Sequence, residues 1–246
     1  MAPPPRSALV TGAASGIGAA VARRLAVAGY DVIRLDRAHV EADGVGRSVT
    51  IDLTDSEAVE QLVRSDDLPD TLDVLVCCAG VYEPTPVKGW RSDRYRHVLE
   101  TNLSATLDLT AALAPRISAG RSPRILLTSS IQSRYGEMAS LAYGVSKAGL
   151  AQAARVLAVE LGADGVLVNA LAPGFIETPM ARLADGRSEH ETDEFVTVYV
   201  EHARIPLRRP GTAEEVAEVA AFLVSPTNTY LTGQVIAVDG GLTATF

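Results

Sequence analysis

The chain has 246 residues, a formal net charge of -8, 47% hydrophobic residues and only 5% aromatics. That length suits one large α/β domain with a substantial core, and the Ala, Val and Leu supply suits helices packed on a buried sheet. An acidic balance with no offsetting basic block argues against a nucleic-acid or anionic-membrane partner, and no run approaches the roughly eighteen apolar residues of a membrane span.

The opening MAPPPRSALV lacks the charged start and long apolar stretch of a signal peptide, so a soluble, cytoplasmic protein is expected, with residues 1–5 disordered. Ser7–Thr11 reads as a first strand, Gly16–Ala28 as a helix with Gly29 past its end, Asp31–Asp36 as a second strand and Ser48–Asp52 as a third. Between the last two, Arg37–Arg47 is short and glycine-broken, so a loop or single turn is expected. Thr54-Asp55-Ser56-Glu57 opens the next helix with capping-box chemistry, and Leu72–Cys77 is a fourth strand. A long helix runs from Ser92 to about Ile117, followed by a strand at Arg124–Ser129 and a helix at Ala142–Leu161. Val166–Leu171 is a sixth strand, Thr212–Val224 a helix begun by Thr212 and the acidic pair Glu214-Glu215, and Val235–Val238 a last strand. Strands alternating with crossover helices predict a single-domain, doubly wound parallel β-sheet of Rossmann type with helices on both faces. Phe175–Pro210 is polar, acidic and long, which predicts a substrate-loop insertion carrying short helices.

TGAASGIG (Thr11–Gly18) follows the first strand and opens the first helix. Gly12, Gly16 and Gly18 remove side chains where backbone must turn tightly and approach a pyrophosphate at a helix N-terminus, with Ser15 and Ile17 between them. The spacing is GxxxGxG rather than the commoner GxGxxG. Asp36 ends the second strand, where a carboxylate accepts hydrogen bonds from adenosine ribose hydroxyls and repels a 2′-phosphate. Arg37 beside it could favour NADP, but Asp36 comes first and position 15 is serine rather than a basic residue. NAD is the expected cofactor.

Of 22 basic residues only Lys88 and Lys147 are lysine, and Lys147 lies four residues after Tyr143 in YGVSK. Positions i and i+4 share a helix face, so a phenol and a compact ammonium can share one environment. An incidental pair on an exposed amphipathic helix has the same spacing. With TGAASGIG, YGVSK, Ser130 thirteen residues before Tyr143, Asn102 in the long helix, Leu171–Met180 (LAPGFIETPM) and Gly233–Gly241 (GQVIAVDGG), the chain resembles the short-chain dehydrogenase/reductase family along nearly its whole length.

The resemblance implies a catalytic group of Asn102, Ser130, Tyr143 and Lys147. Tyr143 would be the general acid/base, its pKa lowered by Lys147 and an oxidised nicotinamide. Lys147 would also bond the nicotinamide ribose, Ser130 would hold the substrate oxygen, and Asn102 would anchor a water on Lys147's path to solvent. Asp52 and Leu53 would flank the adenine; Pro173, Gly174 and Ile176 would lie against the nicotinamide, with Thr178 near its carboxamide. The family usually has Asn-Asn-Ala-Gly after the fourth strand, but here it is Cys77-Cys78-Ala79-Gly80, which leaves only backbone contacts from Ala79 and Gly80. Both cysteines read as core, and no metal site is expected from the scattered His39, His97, His190 and His202. Glu189, Glu191, Asp193 and Glu194 read as a solvated face, and Trp90, Tyr82 and Tyr135 read singly as packing. Ser129 and Ser133 read as strand-end hydroxyls. The pocket would be shaped by Ile131–Leu141 and Phe175–Pro210. The expected activity is hydride transfer between NAD and a secondary alcohol or ketone, with an NADPH-dependent 3-oxoacyl reductase as the alternative and a non-catalytic nucleotide sensor as a third reading. The resemblance further implies a homotetramer, or a homodimer, with Leu242–Phe246 at or near a subunit contact.

Overall fold

The structure, a computed structural model, describes residues 4–40 and 44–244. Of the start expected to be disordered, residues 1–3 lie outside the described residues, while the Pro4 and Pro5 carbonyls accept hydrogen bonds from the Arg121 guanidinium at 2.9 and 2.8 Å.

Seven parallel strands form one sheet. In chain order they begin β1 (Ser7–Thr11), α1 (Gly16–Val27), β2 (Asp31–Asp36), β3 (Arg47–Thr50), α2 (Ser56–Arg64) and β4 (Val74–Cys77). Next come α3 (Ser92–Leu99), α4 (Ala105–Ser118), β5 (Arg124–Thr128), α5 (Leu141–Glu160) and β6 (Leu167–Pro173). The chain then passes β7 (Ile176–Glu177), a single helical turn α6 (Asp193–Phe195), β8 (Gly211–Thr212), α7 (Ala213–Val224) and β9 (Val235–Val238). The sheet order is β3-β2-β1-β4-β5-β6-β9, and β7 and β8 pair separately. The fold is therefore the expected Rossmann-type α/β sheet.

Its inner strands are apolar on both faces because helices cover both, while the edge strand β3 is largely exposed. Leu9, Ile33 and Leu75 face one layer, packing with Val59 and Leu62 of α2, Leu109 and Leu113 of α4, and Leu150 and Ala154 of α5. Ala8, Val10, Val32 and Val76 face the other, against Val21 and Leu25 of α1 and Val216 and Ala220 of α7. Each fully buried leucine or valine contributes roughly 1.5–3 kcal/mol.

Several local expectations change. The start of α2 is not a capping box: Asp55 is its cap, accepting from the Ala58 N–H at 3.0 Å, while the Thr54 hydroxyl turns back to Asp52. A reciprocal box forms instead at α7, between Thr212 and Glu215. The expected helix from Ser92 to Ile117 is interrupted by a π-helical turn at Glu100–Ser104. Residues 37–40 and 44–46 are irregular, as expected for a loop; 41–43 lie outside the described residues. Leu242, expected near a subunit contact, is buried within its own chain against Phe195 and Ile205; residues 245–246 lie outside the described residues.

The strand order reverses between β1 and β4. In an open parallel α/β sheet a ligand crevice lies outside the carboxyl ends of the strands at such a switch point.

Candidate active site

The loops after β1 and β4 meet at that point. Thr11 at the end of β1 accepts hydrogen bonds from the Cys78 and Ala79 N–H groups at 3.1 and 3.0 Å, tying the two loops together. Ala79 therefore spends its N–H inside the protein, and its carbonyl is the backbone group left to meet a ligand. Gly12 has φ +66°, and a Cβ there would lie 2.7 Å from the Ala79 nitrogen. A Cβ on Gly18 would lie 2.1 Å from the Gly12 carbonyl oxygen. Because the obstacle is backbone, Gly18→Ala should force the turn apart at a cost of about 1–3 kcal/mol. A lowered Tm together with weaker dinucleotide binding by calorimetry is expected; an unchanged Tm would contradict this packing argument.

Behind this turn α1 begins with Ser15 at its cap position, and the Ser15 side chain makes no capping hydrogen bond. By contrast, α2 and α7 are both capped by side chains. Uncapped N–H groups at a helix N-terminus suit an anion. At the neighbouring strand end the Asp36 carboxylate accepts from the Ala14 and Ala38 N–H groups, each at 2.9 Å. It is thus fixed between the glycine turn and the β2 loop. Asp52 accepts from the Thr54 N–H and hydroxyl at 2.9 and 2.8 Å, which hold its carboxyl below the usual carboxylate range.

A cavity of about 660 Å3 runs from these residues to Tyr143. It is lined by Gly12, Ser15, Gly16, Ile17, Gly18 and Asp36 at one end, continuing through Arg37, Asp52, Leu53, Ala79 and Gly80. Pro173, Gly174, Ile176, Thr178, Ser130, Tyr143 and Lys147 complete the predicted set along its walls. The segment after β6 is positioned by close backbone packing, since a Cβ on Gly174 would lie 2.7 Å from that of Asp239 in the Asp239-Gly240-Gly241 turn. An uncapped helix N-terminus, a glycine cradle and a fixed carboxylate within one elongated cavity fit a dinucleotide.

Lys147 is 3% exposed, and its Nζ donates to the Thr128 carbonyl at 2.8 Å. The Ser129 hydroxyl donates to the Lys147 carbonyl at 2.8 Å, so the end of β5 holds this turn of α5 at two points. Ser129 therefore orients the lysine's backbone, a role its strand-end position did not indicate. Nζ lies 5.4 Å from the centre of the Tyr143 ring.

Burial dominates the electrostatics of this pair. Burial pushes the Tyr143 phenol up to about 12, and a hydrogen bond with Ser130 opposes this only in part. Burial likewise pushes Lys147 down to about 8. Desolvation disfavours charge on both groups, so the lowering expected for the phenol rests on the charge of an oxidised nicotinamide as well as on Lys147.

Asn102 sits within the π-helical turn, fully buried, and does not line the cavity. Its Oδ1 accepts from the Val81 N–H at 2.7 Å, while Nδ2 donates to the Val81 carbonyl at 2.9 Å and to the Ser146 hydroxyl at 3.2 Å. A Cβ added to Gly80 would lie 3.3 Å from that Oδ1 and 3.4 Å from Lys147 Nζ. The amide thus clamps the loop after β4 to the helix bearing Lys147.

Some other residues keep their sequence reading and some differ from it. Cys77 is buried, but Cys78 lines the cavity and accepts from the Thr128 hydroxyl at 3.3 Å. Burial raises both thiols, to about 12 and about 11, so neither is a ready nucleophile. Tyr82 lines the cavity and packs edge-on against Tyr143, with ring centres 5.5 Å apart. Trp90 packs on Tyr95 and Tyr135 bonds to the Thr243 carbonyl, outside the lining. Glu189, expected on a solvated face, lines the cavity, as do Gln132, Glu137 and Phe175. The segments carrying these residues were recognisable as pocket-forming; no pattern distinguished the inward side chains.

Among the described residues no group of three or more His, Cys, Asp or Glu could hold a metal, and no helix is long and apolar enough to cross a membrane.

Lys147→Arg should lower turnover by about tenfold or more, because a forked guanidinium brings extra donors into a space fitted to one ammonium. Normal activity in that variant would remove the reason for a lysine here.

The family model described as Enoyl-(Acyl carrier protein) reductase matches residues 12–243. The chain is 38% identical to cis-4-hydroxycyclohexanecarboxylate dehydrogenase of Sinomonas cyclohexanicum over 97% of each protein. It is 34% identical to the 3-oxoacyl-[acyl-carrier-protein] reductase MabA of Mycobacterium avium, covering 96% of this chain and 89% of the relative. Among solved structures, an assigned NAD(P)-dependent gluconate 5-dehydrogenase of Beutenbergia cavernae with NADP bound at low occupancy superposes with a TM-score of 0.85. That neighbour is 35% identical, over 98% of this chain and 97% of its own.

Proposed function

The chain belongs to the short-chain dehydrogenase/reductase family, and from that premise we propose that it is an NAD(H)-dependent oxidoreductase acting on a secondary alcohol or its ketone. The observation that carries this reading is one cavity with Ser130, Tyr143 and Lys147 at one end and Asp36 beside the glycine turn at the other.

The glycine turn and the start of α1 would hold the pyrophosphate, Asp36 the adenosine ribose, Asp52 and Leu53 the adenine, and Lys147 the nicotinamide ribose. Pro173, Gly174, Ile176 and Thr178 would form the wall against the nicotinamide. When bound, that ring accepts or supplies the hydride.

The proton is the protein's task. In oxidation Tyr143 takes it from the alcohol oxygen; in reduction it returns it to the carbonyl oxygen. Ser130 Oγ accepts from the Gln132 N–H at 3.2 Å, and its own O–H, which faces the Tyr143 phenol, would donate to the substrate oxygen. Lys147 supplies positive charge beside the phenol, and Asn102 is a positioning residue that holds the Val81 loop against α5. A panel of secondary alcohols with NAD and NADP, followed by absorbance of the reduced cofactor, tests this reading; no turnover with either cofactor would refute it.

The second reading, an NADPH-dependent 3-oxoacyl reductase, is favoured by the resemblance to MabA of Mycobacterium avium and by Arg37 on the cavity wall. Asp36 argues for the first. We also propose a homotetramer, or a homodimer, on family grounds, with light scattering as its measure.

A further inference from the structure

The end of the cavity around Tyr143 has an uneven charge. Among the described residues lining the whole cavity, the cations are Arg37 and Lys147, with His39 near Arg37 in the loop after β2. Lys147 is held by the Thr128 carbonyl beneath the tyrosine. Around the space in front of Tyr143 the lining carries two carboxylates, Glu137 and Glu189, from two different segments.

Arginines lie nearby in sequence but are engaged elsewhere. Arg134 lies over the Tyr135 ring at 5.8 Å, Arg182 donates to the Gly186 carbonyl, and Arg187 pairs with Asp185 at 2.8 Å. None of the three lines the cavity. The carboxylates therefore face the substrate space without a neutralising arginine in the lining.

A further observation shows an acceptor group without a donor. Gln132, on the same wall, gives its amide N–H to Glu137 at 2.5 Å, while its Oε1 is buried without a hydrogen-bond partner. Behind Glu189 stands His190, 7% exposed, with neither ring nitrogen hydrogen-bonded and Nε2 3.4 Å from Glu189 Oε1. Glu137 is held above the usual carboxylate range by burial and then by the charge of Glu189, so the two acids sense one another across the space.

Resting on the proposed alcohol oxidoreductase activity, we propose that Glu137, Glu189 and Gln132 select secondary alcohols bearing a second hydrogen-bond donor, an ammonium best and a hydroxyl next, and reject substrates bearing a carboxylate. Two acids and an unpaired carbonyl oxygen accept hydrogen bonds from such a donor. A substrate carboxylate would bring a third negative charge with no arginine in that part of the lining to receive it, while Lys147 is engaged by the Thr128 carbonyl, and like charges juxtaposed in a site are strongly disfavoured. This chain would then differ in specificity from its Sinomonas cyclohexanicum relative, named for a hydroxycyclohexanecarboxylate.

The test uses three matched alcohols, trans-4-aminocyclohexanol, trans-1,4-cyclohexanediol and trans-4-hydroxycyclohexanecarboxylate, compared by kcat/KM at one pH. The amine and the diol are expected to exceed the carboxylate by about tenfold or more, the step that corresponds to 1.4 kcal/mol. In Glu137→Gln/Glu189→Gln the amine-to-carboxylate ratio should fall by about tenfold or more, mostly through KM. Equal wild-type efficiencies, or a ratio unmoved in the double variant, would overturn the assignment. Should that variant not fold, Glu189→Gln alone must move the ratio in the same direction. Failure of all three alcohols to react bears on the proposed activity; charge selection is then read by calorimetric binding of the same compounds. Tighter amine than carboxylate binding, lost in the variant, supports it, and equal binding overturns it.

Discussion

Tyr143→Phe should lower turnover by roughly 10²–10⁴-fold, the usual worth of a positioned general acid–base group, while leaving fold and dinucleotide affinity in place. The ring is retained, so its edge-on contact with Tyr82 at 5.5 Å survives, and only the hydroxyl is lost. The size of the effect follows from burial. A phenol pushed up to about 12 is a stable proton donor, suited to the reductive direction without further adjustment. To act as a base near neutral pH it must fall by about five units, or about 7 kcal/mol at 1.36 kcal/mol per unit. Lys147, itself pushed down to about 8, does not supply that alone. The charge of an oxidised nicotinamide must contribute the rest. Oxidation should accordingly speed up as pH rises and more of Tyr143 ionises, whereas reduction should not share that rise. A Tyr143→Phe enzyme that keeps more than about a tenth of wild-type kcat would remove the tyrosine from the proton path.

The second large effect is expected in cofactor choice. Wild-type protein should use NAD about a hundredfold or more better than NADP in kcat/KM, a difference of a few kcal/mol. Asp36 is aimed for this task by its own bonds: one oxygen is held by the Ala14 N–H and the other by the Ala38 N–H. Its remaining lone pairs can accept from ribose hydroxyls, each charge-assisted bond worth about 1.5–3 kcal/mol. Against a 2′-phosphate those bonds vanish and like charges meet, which Arg37 offsets only in part. Asp36→Ala with Ser15→Arg should erode or reverse the preference. The same bonds add a consequence: Asp36→Ala frees two backbone N–H groups and loosens the glycine turn, so Tm should fall along with NAD affinity. Equal wild-type efficiency with NAD and NADP would refute this role for Asp36 and leave the roles of Tyr143 and Ser130 standing.

Much of this protein is written in short-range pattern. Apolar runs at Ser7–Thr11 and Asp31–Asp36 match observed strands because each is largely buried on both faces, and Val235–Val238 matches as a half-buried edge strand, all flanked by turn residues. The glycine turn and the Tyr143–Lys147 pair are legible for the same reason: both functions need fixed local spacing, a tight strand-to-helix turn in one case and one helix face in the other. What tertiary structure alone decided concerns long-range burial and the direction of side chains. Hydrophobic periodicity cannot reveal the single extra residue that makes the π-helical turn at Asn102, nor that Asn102 faces Val81 rather than the cavity. Asp55 rather than Thr54 caps α2 because Asp52, held at the end of β3, draws the Thr54 hydroxyl. Cys78 faces the cavity while Cys77 faces the core, because neighbours in an extended chain point to opposite sides. The rise of Tyr143 and the fall of Lys147 come from desolvation, which depends on every element closing over the pair. Glu137 and Glu189 approach one cavity across a gap of some fifty residues. Only the folded path of the loops brings those charges together.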